Sequence, residues 1–308
     1  MQESNNAQAV EMSKTSKGPS KTAETITMVR VGESRRPEDE RICYDPYAIR
    51  FISREVLEFA TGNPEQYRAF VARNERLVPG AGNSIIARVK YFDDVVNSSI
   101  GDGLEQLVIL GAGYDTRAYR IEGLKNVRIF EVDHPATQMR KVEKIREIFG
   151  SLPGHVTYVP VDIGVGTLDR RLLESGYDRS LKTLFLMEGL FMYLPPGTVD
   201  ETLSFIAHNS PRGSAIIFDY IPRSVVDGTC ELEAGKNWRK GVMDVGEPFL
   251  FGIKEGEIET FLTQRGFSKI RNVTSKDYRK AYFSGKNERR EVNSLLSFAY
   301  AVVEKDFL

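Results

Sequence analysis

The sequence predicts an α/β fold in which a mostly parallel, seven-stranded sheet carries helices on both faces. From residue 104 onwards, short apolar runs alternate with stretches of helical period, which is the pattern of strand–helix–strand units. The first run ends in Gly111-Ala112-Gly113, as expected where a buried strand turns sharply towards a helix. Acidic or polar residues follow each of the first four runs, at the edge where open α/β sheets bind ligands.

The individual elements follow from this pattern in chain order. Strands are predicted at 107–110, 128–132, 156–161, 184–187, 214–220 and 268–273, with a last antiparallel strand at 295–303. Helices are predicted between them at 137–149, 197–207 and 255–265. Upstream, residues 23–97 read as helices. These include one opened by Asp45-Pro46, because Pro suits a first turn, and others at 65–77 and 84–96.

The predicted organisation is a single domain over residues 23–308, preceded by a polar tail. The tail, residues 1–22, is rich in Ser, Thr and Lys and is expected to be disordered. Within the domain we predict four parts: a helical cap (23–103), a ligand-binding core (104–220), a lid or acceptor-binding insertion (221–254) and the remainder of the sheet (255–308).

Composition excludes several classes of function. The formal net charge of −1 on 308 residues gives no case for nucleic-acid binding, which usually needs a basic surface. Cys43 and Cys230 have neither disulfide nor metal-ligand spacing, and three scattered His residues suggest no metal site. No apolar run reaches the roughly 18 residues of a membrane span. We therefore expect a cytoplasmic protein that uses no metal and binds neither nucleic acid nor membrane.

The glycine-rich turn and a spaced acid predict a nucleoside-containing cofactor. Asp133 lies 20 residues beyond Gly113 (133 − 113), the spacing at which an acid binds ribose hydroxyls in α/β sheets. Thr116 stands where a dinucleotide site would have a third glycine, and Asp115 would repel a pyrophosphate but attract a sulfonium and an ammonium. These differences favour S-adenosylmethionine over NAD.

Five blocks in the same order resemble the leucine carboxyl methyltransferase family, which includes protein phosphatase methyltransferases and small-molecule O-methyltransferases. Between about residues 35 and 220 they read R-I-C-Y-D-P-Y-A-I-R-F, A-R-V-K-Y-F-D-D, L-G-A-G-Y-D-T-R-A-Y-R, F-E-V-D-H-P with V-D-I, and E-G-L-F-M-Y-L. Beyond about residue 222 the similarity is too loose to transfer residues. The resemblance implies a Rossmann-like class I methyltransferase that uses S-adenosylmethionine and releases S-adenosylhomocysteine.

The resemblance also implies roles for individual residues. Arg88 would pair with the cofactor's carboxylate, for which a planar guanidinium is suited. The turn Gly111-Ala112-Gly113 would pass close to the methionine part. Asp133 would bind the ribose, with Glu131 as its rival because it lies on the same strand face.

Further roles concern the adenine, the ammonium and the acceptor. Asp162 and Ile163 would frame the adenine, although a turn acid is the simpler interpretation of Asp162. Glu188 would face the methionine ammonium. Tyr193 is a candidate for the acceptor site, with core packing as the alternative. No residue stands out as a general base, which mildly favours an acidic acceptor oxygen such as a carboxylate.

The predicted activity is O-methylation of a small-molecule acceptor, a carboxylate or a phenol or enol, rather than of a protein C-terminus. A non-catalytic protein that senses the cofactor or acts as a scaffold is the first alternative. An NAD(P)-dependent oxidoreductase is the second, disfavoured by Thr116 and by the lack of a Tyr-x-x-x-Lys pair. The oligomeric state and the identity of the acceptor do not follow from the sequence.

Overall fold

A single seven-stranded sheet forms the centre of the computed structural model, which describes residues 21–163 and 168–304. The strand order is β3-β2-β1-β4-β5-β7-β6. The strands are β1 Gln106–Leu110, β2 Arg128–Asp133, β3 Val156–Pro160, β4 Thr183–Met187, β5 Ala215–Tyr220, β6 Phe267–Val273 and β7 Ser297–Val303. The first five are parallel to one another, and β7 runs antiparallel to both β5 and β6. The predicted fold class is confirmed, including the antiparallel last strand.

Twelve α-helices surround the sheet within the described ranges. They are α1 Lys21–Ser34, α2 Arg54–Gly62, α3 Pro64–Leu77, α4 Ala81–Gly101, α5 Arg117–Arg120, α6 Pro135–Phe149, α7 Leu168–Glu174, α8 Pro196–His208, α9 Arg223–Asp227, α10 Glu233–Asp244, α11 Ile258–Thr263 and α12 Ser275–Tyr282. None of these helices has the length and apolar content needed to cross a membrane.

The hydrophobic core consists of two layers, one on each face of the sheet. Along β1, Leu107 and Ile109 belong to the layer shared with α4, whereas Val108 and Leu110 belong to the opposite layer. This division follows from the two-residue period of a strand. All five residues of β1 are buried, and the four from 107 to 110 are apolar. Such a continuous apolar run is typical of a parallel strand that is covered on both faces.

The helix predicted to begin at Asp45-Pro46 is the clearest error of the sequence reading. The structure has only a 3-10 helix at Ala48–Phe51. The Asp45 carboxylate accepts hydrogen bonds from the backbone amides of Tyr47 and Ala48, each at 3.0 Å, and also contacts Thr116 and Arg30. The segment is therefore fixed by side-chain contacts to distant elements, and these do not require a long helix. The predicted disordered tail, residues 1–22, lies outside the described residues as far as residue 20, and the prediction is wrong for its last two residues because they begin helix α1.

Candidate functional site

A cavity of about 530 Å³ opens where the central parallel strands end. Its volume lies within the range of small-molecule sites, roughly 300–1,000 Å³. The turn after β1 forms its floor, and helix α1 and the segment 246–250 form a wall beside it. Seven of the residues singled out from the sequence line it: Arg88, Gly111, Ala112, Gly113, Asp133, Glu188 and Tyr193.

The turn after β1 depends on glycine at two positions. Gly111 and Gly113 have φ values of 65° and 44°, in the left-handed region that residues with a Cβ rarely adopt. A Cβ on Gly111 would also lie 2.9 Å from Cδ1 of Leu190. The two glycines therefore allow the backbone itself to form the floor of the cavity.

Asp133 lies at the end of β2 and is tied to that turn. Its carboxylate accepts hydrogen bonds from the backbone amides of Gly113 and His134. Burial raises the pKa of Asp133, while these two donors act in the opposite direction. The carboxylate lines the cavity, where it can accept hydrogen bonds from a ligand's hydroxyl groups. Its role in binding ribose stays a prediction.

Glu131, the rival for that role, has a different environment. It is fully buried and lies 2.8 Å from Nζ of Lys141, which is itself buried. The Tyr119 hydroxyl donates to it at 3.0 Å. Glu131 is not among the residues that line the cavity. Its carboxylate instead neutralises the charge of the buried Lys141.

Arg88 extends from α4 towards the cavity and is 3% exposed. Nη1 lies 2.6 Å from the Asp219 carboxylate, and Nε lies 3.1 Å from that of Glu188. Its remaining nitrogen, Nη2, is buried and has no hydrogen-bond partner among the described residues. A buried donor without a partner is costly, so this nitrogen is available to an acceptor group on a ligand.

A second buried arginine holds the same region together, and the sequence reading assigned it no role. Arg117 contacts the carboxylates of Asp93, Asp115 and Glu188. Burial alone would raise the pKa of Glu188, but the charges of Arg117 and Arg88 outweigh it and lower that pKa. Glu188 therefore stays ionised at the wall of the cavity, where it can attract a cationic group.

The Asp115–Arg117 pair leads to a prediction about pH. Burial acts to raise the pKa of Asp115, but the Arg117 charge outweighs it and lowers that pKa in the folded state. Stability from this pair is thus complete above the ordinary Asp pKa of about 3.9 and disappears as the pH falls through the lower folded value. Asp115→Asn should therefore cost free energy of unfolding at pH 7 and about half as much at pH 3.

Urea unfolding at both pH values measures this difference. Asp169→Asn, which removes an exposed carboxylate on α7, is the matched control and should cost little at either pH. An Asp115→Asn cost that is the same at pH 7 and pH 3 would contradict the assignment.

Asp162 and Ile163 are not among the residues that line the cavity. Asp162 is exposed, and Ile163 packs in the core layer with Val159 and Leu168. They follow β3, whose end lies beside Asp133 because the Val161 amide donates to the Asp133 carbonyl at 2.8 Å. Their role in binding adenine stays a prediction, and the next residues, 164–167, lie outside the described ranges.

Two charged residues at the cavity, Arg30 and Glu247, were not predicted from the sequence. Helix α1 contributes Arg30, whose Nη2 donates to the Tyr114 carbonyl at 2.6 Å and whose buried Nε has no partner among the described residues. The segment 246–250 contributes Glu247, which accepts a hydrogen bond from Thr22 on α1. Neither residue belongs to a block of the resemblance as quoted, and an isolated charge on a helix or in a loop carries no signal of its own.

Metal binding finds no support in the described ranges, where no three His, Cys, Asp or Glu side chains are grouped to hold an ion. The expectation that no metal is used stays a prediction. Within those ranges, Cys43 and Cys230 are both buried free thiols. Burial raises the pKa of the Cys43 thiol to about 12, so it is not a nucleophile at neutral pH.

Comparisons with known proteins agree with this arrangement. The family model "Leucine carboxyl methyltransferase" matches residues 23–207. The "Putative S-adenosyl-L-methionine-dependent methyltransferase YktD" of Bacillus subtilis is 30% identical over 258 residues, which cover 82% of each chain. A DUF574 family protein of Streptomyces avermitilis has a similar fold, with a TM-score of 0.60 at 13% identity over 92% of this chain and 97% of that one. A crystal structure of a "putative methyltransferase" from Thermobifida fusca has a TM-score of 0.57 at 16% identity, covering 78% of this chain and 89% of the other.

Proposed function

The chain belongs to the leucine carboxyl methyltransferase family, and from this premise we propose that it is an S-adenosylmethionine-dependent O-methyltransferase acting on a small molecule. The observation that carries the proposal is the unpartnered Nη2 of Arg88, which lies buried at a cavity also lined by Glu188 and Asp133. These three residues offer a donor for a carboxylate, a charge for an ammonium and an acceptor for a ribose diol.

The residues present fit that cofactor. Arg88 would bind its carboxylate, Glu188 its ammonium group and Asp133 its ribose, while Gly111 and Gly113 leave room for its chain. Gly189 adds to this space, since a Cβ there would lie 3.4 Å from Nη1 of Arg88. Arg30, with its unpartnered Nε, is a further candidate for contact with the carboxylate.

When bound, S-adenosylmethionine supplies a methyl group already activated by the sulfonium. The protein's part is then to align an acceptor oxygen with that methyl group and to exclude water. Helix α1 and the segment 246–250 both line the cavity and are joined by the Thr22–Glu247 hydrogen bond. An acceptor enclosed in this way would be small, which supports a small molecule over a folded protein. Because the two thiols are buried and free, we also propose a reducing, cytoplasmic location.

Calorimetric titration tests the cofactor assignment directly. S-adenosylmethionine should bind with micromolar affinity, and NAD should bind about a hundredfold more weakly or not at all, because the Asp115 carboxylate opposes a pyrophosphate. The protein should be unfolded and refolded beforehand to remove any ligand retained from expression. Tighter binding of NAD would favour the oxidoreductase alternative, and binding of neither ligand by the folded protein would contradict the proposal.

Four probes of one shape test the chemistry of the acceptor. These are 2-naphthol, 2-naphthoic acid, 2-naphthylamine and 2-naphthalenethiol, each incubated with tritium-labelled cofactor. Transfer to either oxygen compound in preference to the other two supports O-methylation. Preferred transfer to the amine or the thiol would overturn it, and cofactor binding without transfer to any acceptor in a wider screen would favour the non-catalytic alternative.

A further inference from the structure

Glu247 is the acidic side chain that the segment 246–250 brings to the cavity. It is partly buried and accepts a hydrogen bond from the Thr22 hydroxyl. It also lies close enough to Tyr193 for its charge to act on the phenol. Because Leu250 and Phe251 donate backbone hydrogen bonds to the Met192 carbonyl, at 2.7 and 3.2 Å, this segment is fixed beside the block that contains Tyr193.

The other three carboxylates at the cavity already have defined structural contacts. Asp115 contacts Arg117, and Glu188 contacts both Arg88 and Arg117. Asp133 holds the backbone amides of Gly113 and His134. These three carboxylates belong to the side of the cavity that we assign to the cofactor, whereas Glu247 lies on the wall made by α1 and the segment 246–250.

The cavity that Glu247 lines also has apolar side chains. These are Pro248 and Leu250 from the same segment, Leu190 from the loop after β4 and Ile26 from α1. The ring of Tyr193 packs against Phe249, with centroids 5.5 Å apart. Burial, followed by the charge of Glu247, raises the pKa of Tyr193. Its phenol therefore stays protonated and can donate a hydrogen bond but cannot accept the acceptor's proton.

We infer that the acceptor is a neutral hydroxyl compound of the phenol or enol class and that Glu247 is the base that takes its proton. This inference rests on the proposed O-methylation. The acceptor oxygen gives its proton to the Glu247 carboxylate and forms the new O–C bond. The S–C bond breaks with its electron pair returning to sulfur, and the proton later passes to water. Charge and atoms balance, since the cationic donor becomes a neutral thioether and one proton is released.

A carboxylate acceptor fits this wall poorly, because it would place a second negative charge beside Glu247. Arg88 and Arg30 do not offset this effect, because we assign their unpartnered nitrogens, Nη2 and Nε, to the cofactor's carboxylate. The rest of each guanidinium already contacts protein carboxylates, those of Glu188 and Asp219 for Arg88 and that of Asp45 for Arg30. The structure thus reverses the mild preference for a carboxylate that the sequence suggested, and that preference had rested on the lack of a visible base.

Glu247→Gln tests the inference with two of these probes, 2-naphthol and 2-naphthoate, and with a third compound, a nitro-substituted naphthol that is ionised at neutral pH. Methylation of 2-naphthol should fall by about 10²-fold or more, the usual contribution of a general base. The affinity of the variant's complex with S-adenosylhomocysteine for the two anionic probes should instead rise by about tenfold, because the negative charge of Glu247 no longer repels them. A purely structural role for Glu247 would change all three probes in the same direction.

Asp244→Asn is the matched control, because Asp244 is an exposed residue three positions earlier that pairs with Lys240 on the surface. It should leave all three probes unchanged, and unchanged affinity of Glu247→Gln for S-adenosylhomocysteine shows that this variant is folded. The inference would be overturned if Glu247→Gln had equal effects on the neutral and the anionic probes. It would also be overturned if none of the three probes bound to the protein. Preferred methylation of 2-naphthoate would overturn it while leaving O-methylation intact.

Discussion

Arg88→Ala is expected to abolish measurable binding of S-adenosylmethionine and to lower the free energy of unfolding by about 3–5 kcal/mol, the usual cost of removing one partner of a buried ion pair. Two effects combine in this variant. The donor proposed for the cofactor's carboxylate is lost, and the Asp219 carboxylate, which is fully buried, loses the guanidinium 2.6 Å away. Calorimetry and urea unfolding measure the two effects separately.

Arg88→Lys separates binding from stability. Lysine keeps a positive charge near Asp219 and Glu188 but has no planar fork with a third nitrogen. We therefore expect most of the stability to return while cofactor affinity stays at least about tenfold below that of the parent. Lys90→Ala on the exposed side of the same helix, where Lys90 pairs with Asp94, is the control and should change neither quantity much. Parent-like affinity in Arg88→Lys would show that Nη2 does not contact the cofactor.

The sheet could be predicted from sequence because each of its strands carries its own local signal. The predicted first strand, 107–110, agrees within one residue with the observed Gln106–Leu110. The end of this strand could be predicted because the apolar run stops at Gly111, a residue typical of a sharp turn. The antiparallel strand β7 could be predicted because it is the last apolar run of the chain. The missed helix α10, by contrast, is polar along most of its length, and its apolar stripe of Ala234, Trp238 and Val242 is too short to stand out within the segment.

The site could be predicted only where it lies on the central strands. Gly113, Asp133 and Glu188 come together because the carboxyl ends of parallel neighbours meet at one edge. Asp219 and Glu247 reach the same place through contacts that span 131 and 225 residues of sequence, to Arg88 and to Thr22 respectively. No local pattern encodes such pairings, so they appear only in three dimensions.

The same limit explains why Glu131 and Asp133 could not be separated from sequence. Both lie on β2 and point to the same face of the sheet. What distinguishes them is Lys141, on the middle of α6, whose ammonium group lies against Glu131 and is 1% exposed. A carboxylate that neutralises a buried lysine is committed to that role, whereas Asp133 lies one step further along the strand at the cavity.

Asp133→Ala should reduce affinity for S-adenosylmethionine by about 10²-fold. A carboxylate that accepts hydrogen bonds from two ribose hydroxyls contributes about 1.5–3 kcal/mol for each charged hydrogen bond, and the variant also frees the Gly113 amide that Asp133 holds. Asp133→Asn should fall between the parent and the alanine variant, because its amide keeps one acceptor oxygen. Calorimetric titration with S-adenosylmethionine and S-adenosylhomocysteine measures all three proteins.

Glu131→Gln is the matched comparison on the same strand, and the opposite pattern is expected. Its cofactor affinity should stay close to that of the parent, because Glu131 does not line the cavity. Its free energy of unfolding should fall by about 3–5 kcal/mol, because the buried Lys141 loses its counter-charge. If Glu131→Gln instead weakened cofactor binding and Asp133→Ala left it unchanged, the ribose site would belong to Glu131. The turn would then have to move to bring Glu131 into the cavity, since Glu131 does not line the cavity in this structure.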